Sequence, residues 1–154
     1  MPITLKIEGL DKFRDDVHRG AAEIPGQIRY AMAKAVNAVK NTAQPMAPFK
    51  TGNLRRSVYT EVQNNGFKGI IGVDANAAPY GIYMEYGTRP HAITAVNKRA
   101  LANVRANIVF GKIVQHPGTA ARPFMAPALE QNTDIIKGYF SDAILKIVQI
   151  MAGR

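Results

Sequence analysis

No cysteine occurs among the 154 residues of the chain. That absence excludes disulfide frameworks, cysteine nucleophiles, iron–sulfur clusters and thiolate zinc sites together. A fold of this length needs no such staple, because it buries roughly two-thirds of the surface its unfolded chain exposes. Long apolar runs are missing as well: no stretch approaches the ~18 uninterrupted apolar residues of a membrane span. Met1-Pro2-Ile3-Thr4-Leu5-Lys6 lacks the basic region and apolar core of a secretion signal. With 47% hydrophobic and 20% charged residues, the composition is not that of a disordered chain. The expectation is one soluble, unsecreted domain spanning residues 1–154.

Catalytic signatures are absent too. The chain has no Gly-x-Ser-x-Gly, no phosphate-cradling glycine-rich loop and no His-Glu-x-x-His. His18, His91 and His116 share no spacing that would set two of them on one helical face around a metal. Asp15 and Asp16 are adjacent, so on a helix they point about 100° apart and do not form an acid–base pair. Neither an enzyme, nor a metal or cofactor site, nor a small-molecule substrate is expected.

Acidic residues are missing from two long windows. Arg29, Lys34, Lys40, Lys50, Arg55 and Arg56 lie between Ile24 and Thr60 with no acid among them, and Arg89, Lys98, Arg99, Arg105, Lys112 and Arg122 lie likewise between Tyr86 and Leu129. The rest of the chain holds eight basic and eleven acidic residues, so a net charge of +9 is sharply segregated. Such segregation points to an anionic neighbour. Lys50, Arg55, Arg56, Lys98, Arg99 and Arg105 either face phosphates, gaining affinity from released counterions, or form a solvated face. No recognition-helix signature and no aromatic–basic interleaving is present, so sequence-specific reading of bases is not expected.

The periodicities describe an α+β chain. Ile3, Leu5 and Ile7 alternate with polar residues as a short strand. Leu10, Phe13, Val17, Ala21, Ile24, Ile28, Met32, Ala35, Val39 and Ala43 then draw one apolar helical stripe. Pro25 predicts a kink or break, with a second helix ending before Pro45 and Pro48. Val58–Gln63 and Phe67–Val73 flank Asn65-Gly66, a hairpin signal, since both residues tolerate the positive φ of a type I′ turn. Pro79–Tyr86 reads as a short helix or a strand. Residues 91–114 read as a projecting hairpin or loop: two weak strands, His91–Val96 and Ile108–Val114, flank Asn97–Asn107, which has no core-forming period and is of the kind ordered only against something else. Leu129, Ile136, Phe140, Ile144, Ile147 and Met151 predict a closing helix from about Met125 to about Ala152, weakened at Gly138. The fold class is α+β, a small antiparallel sheet with long N-terminal and C-terminal helices packed on one face. Within Tyr80–Thr88, Glu85 stands alone among tyrosines, as a catalytic acid, an interface anchor or an exposed residue between packed ones.

Three segments together resemble a known family. They are Ala47-Pro48-Phe49-Lys50-Thr51-Gly52-Asn53-Leu54-Arg55-Arg56-Ser57, then Tyr80-Gly81-Ile82-Tyr83-Met84-Glu85-Tyr86-Gly87-Thr88, then His116 to Leu129 with Arg122-Pro123-Phe124 inside. Their order and spacing, behind Ile7-Glu8-Gly9-Leu10 and a long helix, are similar to the signature blocks of the neck and tail-completion family of long-tailed bacteriophages. Gly81 departs from the pattern, standing where a small alanine is common. The resemblance implies a virion structural protein at the head–tail junction, made in the host cytoplasm. It implies a homo-oligomeric ring, sixfold or of related symmetry, that joins the tail to the capsid connector and passes genomic DNA without base readout. Its other partners would be head-closure, tail-terminator or tail-tube proteins; no membrane is involved. Turn or subunit-interface roles fall by resemblance on Thr51, Gly52, Leu54, Arg55, Tyr80, Tyr83, Glu85, Gly87, Thr88, Pro123 and Phe124. A heterologous interface would set Glu85 and the tyrosines of one subunit against basic residues of the next. A tail terminator capping the tube and a stand-alone basic nucleic-acid-binding domain are the alternative readings.

Overall fold

The structure is a computed structural model that describes residues 10–96, 100–103 and 107–152. The strand expected over Ile3–Ile7 and the side chains of Lys98, Arg99 and Arg105 lie outside the described residues. The longest element, α1 (Leu10–Met46), is a single helix of 37 residues, about 55 Å long at 1.5 Å per residue. The break expected at Pro25 does not occur, and Pro45 also lies within the helix. Pro25 and Ala21, one turn before it, are both exposed. The carbonyl that loses its amide partner there can turn to water, so the proline costs the helix one bond without ending it.

Small side chains make α1 the hub of the fold. Ala31, Ala35, Val36, Val39 and Ala43 are all nearly inaccessible, which lets neighbours approach closely. Strands β1 (Val58–Gln63) and β2 (Lys68–Val73) form an antiparallel ladder, Val58 opposite Val73 through Gln63 opposite Lys68, that lies along α1. Met32 and Val36 press against Gly69, while Thr60 Oγ1 lies 3.4 Å from Asn37 Oδ1. The loop between the strands spans residues 64–67 and is wider than a two-residue type I′ turn. The requirement for positive φ holds at Asn64, Asn65 and Gly66. Gly66 rests on the α1 backbone at Arg29, where any side chain would collide, so docking on the helix sets the loop width.

The closing helix divides in two, α4 (Met125–Gln131) and α5 (Thr133–Met151). Asn132, buried at the break, uses its side-chain amide twice, donating 2.8 Å bonds to the Ala128 carbonyl and to Thr42 Oγ1 on α1. Its backbone N–H turns instead to the Leu129 carbonyl, tightening one turn and interrupting the helix. From there α5 runs antiparallel to α1, reaching Gly20 with Met151. Residues of α1 that face α5, among them Gln27 and Lys34, lie nearly opposite those that face the sheet. The layers therefore run sheet, α1, α5, an α+β arrangement as expected. Phe13, at the start of the predicted apolar stripe, is 64% exposed, because α1 extends beyond both the hairpin tip at Arg29 and the end of α5 near Gly20.

Between sheet and closing helices, α3 (Gly81–Tyr86) resolves the helix-or-strand alternative as a helix. An arm follows. Strands β3 (His91–Thr94) and β6 (Ile113–His116) pair antiparallel, and β4 (Leu101–Asn103) and β5 (Ile108–Gly111) continue them with a bulge between Leu101 and Ala102. Only Ala95 among the arm's described apolar residues is well buried.

Candidate functional site

The three sequence blocks, spread over eighty residues, meet at one place. The first closes the end of α1. Arg55, on the short helix α2 (Asn53–Arg56), donates from Nε to the Ala47 carbonyl at 3.0 Å and from Nη2 to the Pro45 carbonyl at 2.9 Å. A helix end leaves such carbonyls without amide partners, and a cation is the favoured cap for them. Gln44 Nε2 returns a bond to the Arg55 carbonyl, and the guanidinium stacks over the Phe49 ring at 5.0 Å. Gly52 (φ +80°) turns the chain into α2, and Leu54 drops into the core. Thr51 stays exposed and lends its carbonyl to Arg56 Nη2, which also bonds Asn53 Oδ1 at 2.6 Å. Nε and Nη2 of Arg55 and Nη2 of Arg56 are thus engaged within the chain, whereas Lys50 is exposed and free of such bonds among the described residues.

The second and third blocks are tied by a carboxylate. Glu85 on α3 accepts from the backbone N–H groups of Phe124 (2.8 Å), Met125 (3.1 Å) and Ala126 (3.0 Å). These are the unpaired amides at the start of α4, so a side chain 39 residues away supplies the cap that no local residue provides. Thr88 and Thr119 form a two-way backbone bridge, and the Thr119 amide also reaches Thr88 Oγ1 at 2.9 Å. Gly87, at φ +72°, sits against the Thr119 carbonyl and the Ala121 amide, where a Cβ would intrude. The Arg122 amide bonds the Met84 carbonyl at 2.7 Å. Phe124 is wholly buried beside Leu54, Val58 and Ala78, and Pro123 before it is exposed.

Two depressions flank α3. A cleft of about 860 Å³ on one side is lined by Phe49, Lys50, Leu54, Tyr80, Met84 and Arg122 among others, with no acid among its described lining residues. On the other side a groove of about 420 Å³ is lined by Ile71, Val73, Ile82, Glu85, Tyr86 and Met125 among others, with Glu85 the one charged residue among the described residues that line it. Tyr83, Tyr86 and Ile82 project from α3, at 55%, 79% and 61% exposure. Among the described residues no three histidines or carboxylates converge as a metal site. His91 and His116 do meet across β3 and β6, with ring centroids 5.1 Å apart. The Gly118 amide donates to His116 Nδ1 at 3.1 Å, and His91 Nδ1 lies 2.9 Å from the Arg89 carbonyl.

Sequence reasoning passed over three residues. Arg122 entered as a charge and as a member of the third block, but not for its place: it lines the basic cleft and its amide holds α3. Ser57 is buried and donates to the Leu54 carbonyl at 2.8 Å. Asn132 left one signal, a polar residue near the apolar face of the closing helix, but nothing local shows its partner, Thr42, ninety residues away.

Residues 11–87 match the family model HK97-gp10_like, described as "Bacteriophage HK97-gp10, putative tail-component", which is half of the 154 residues. The matched span takes in the first block and all of the second but Thr88. No curated protein and no solved structure matches the chain significantly.

Proposed function

From the premise that the chain belongs to the HK97-gp10-like family of bacteriophage tail components, we propose that it is a non-enzymatic virion subunit of a ring at the head–tail junction. The ring joins the tail to the capsid connector, touching head-closure, tail-terminator or tail-tube proteins, and the genome passes through it. Assembly takes place in the host cytoplasm. The observation that carries this reading is the arm. Val96, Val109, Ile113 and Phe110 on it are 88%, 73%, 60% and 50% exposed. A two-stranded ladder is marginally stable in water by itself, and a cluster of exposed apolar side chains is the mark of a protein interface. An arm that fits a different patch on the next copy makes a heterologous contact, and such contacts generate rings where the rotation from copy to copy closes.

Charge supports the lumen. Lys50, Arg89, Lys112 and Arg122 are exposed and lie in stretches without an acid, which suits unspecific contact with phosphates as DNA moves past. The test has two parts. Purified protein should reach ring mass as concentration rises while holding DNA only weakly and in a salt-sensitive way. Phage lacking the gene should accumulate full heads and finished tails unjoined. A chain that stays monomeric and binds DNA tightly, or normal virions without it, contradicts the reading.

A further inference from the structure

The groove beside Glu85 and the arm are complementary in two independent respects. The floor of the groove is the outer wall of the hydrophobic core itself, where Ile71, Val73 and Met125 pack against buried residues and remain partly open. Its rim is Ile82 and Tyr86, both largely exposed. The arm offers what such a surface lacks: Ile108, Val109 and Phe110 are consecutive and all exposed. Because successive strand residues point to opposite faces, three exposed apolar neighbours leave both faces of β5 without cover. The charges agree as well. Glu85 is the one charged residue among the described residues that line the groove, and the arm, with Lys112 exposed beside β5, has no acid in its sequence. The basic cleft on the other side of α3, with Lys50 and Arg122, would repel the same arm.

Resting on the ring reading, we propose that the groove between β2, α3 and the start of α4 receives the Ile108–Phe110 segment of the arm of a neighbouring copy. The arm of the same chain does not fill the groove. Its root, the His91–His116 pair, stands next to the Thr88–Thr119 bridge at the end of α3. Phe110 lies six residues beyond His116, about 20 Å farther along the ladder at some 3.3 Å per residue.

The absence of cysteine makes the contact directly testable. Phe110→Cys combined with Ile82→Cys, and Val109→Cys combined with Tyr86→Cys, place thiols on exposed sites of arm and groove in an otherwise thiol-free chain. The mass of each unoxidised variant is measured first, then each is oxidised. The expected result is a reducible covalent ladder from dimer up to the closed ring for both pairs. Single variants and the pair Phe110→Cys with Tyr80→Cys, which faces the basic cleft, should give no ladder. If protein of ring mass yields none from either groove pair, or yields it from the Tyr80 pair, the docking is overturned and the ring stands. If the unmodified protein remains a monomer at every concentration, both are overturned.

Discussion

Around Phe124, backbone groups that a helix end or a turn leaves unpaired find partners inside the chain, and the central side chain is sealed from water. Along the arm, only a few residues away, apolar side chains stand in solvent and the backbone ladder is two strands wide. Phe124 and the arm lie in the same acid-free stretch between Tyr86 and Leu129. What differs is where their partners lie. The junction of the three blocks is completed by its own chain and so fixes the fold; the arm is left incomplete and so suits assembly.

Substitutions should separate the two regions by which property they change. Phe124→Ala has the largest expected effect, about 3–5 kcal/mol of lost stability, because a fully buried ring leaves a cavity where three blocks converge. Thermal unfolding of the whole chain should report it. Glu85→Ala comes next, at about 2–3 kcal/mol, since it strands three amides at the start of α4. Glu85→Gln, which keeps one acceptor oxygen, should fall between that variant and the original in a denaturant titration. Arg55→Lys should cost about 1 kcal/mol, because an ammonium cannot reproduce the fork that spans the Pro45 and Ala47 carbonyls. Amide exchange in the last turn of α1 should quicken with it. Smallest in stability is the change of Val109 and Phe110 to serine, at less than about 0.5 kcal/mol, as for surface sites generally. That variant should unfold at nearly the original temperature at concentrations where both chains are monomeric, and yet lose its assembly at higher ones. Equal losses of stability from the arm and from Phe124 would erase the distinction between the regions.

Local chemistry left a readable trace in some elements and not in others. The α1 stripe, the hairpin after Ser57 and the requirement for positive φ at Asn65 and Gly66 depend on neighbours in sequence, and periodicity exposed them. Pro25 misled because its effect depends on exposure: a solvated carbonyl one turn back makes the residue tolerable, and exposure is a tertiary property. Asn132 misled in the opposite sense, since a buried amide bonded to Thr42 and Ala128 breaks a helix that its apolar repeat would continue. At the junction, the three blocks were recognisable together, by their order and spacing, but not the Glu85 cap that joins the second to the third. A carboxylate among tyrosines fits several roles until the amides of Phe124, Met125 and Ala126 are seen beside it. The arm could be read as a projecting element because its middle lacks a core-forming period. That β4 pairs with β5 and continues the ladder could not, because Leu101–Asn103 lies within Asn97–Asn107, a stretch with no period of its own to mark a strand.

The measurement that bears most directly on this account is the solution mass of the chain, by light scattering or native mass spectrometry over a range of concentrations, beside the variant with serine at Val109 and Phe110. The account predicts a closed oligomer for the first and a folded monomer for the second, with matching melting temperatures at concentrations low enough that both are monomeric. An oligomer of unchanged mass in the variant, or a monomer for both, would contradict it.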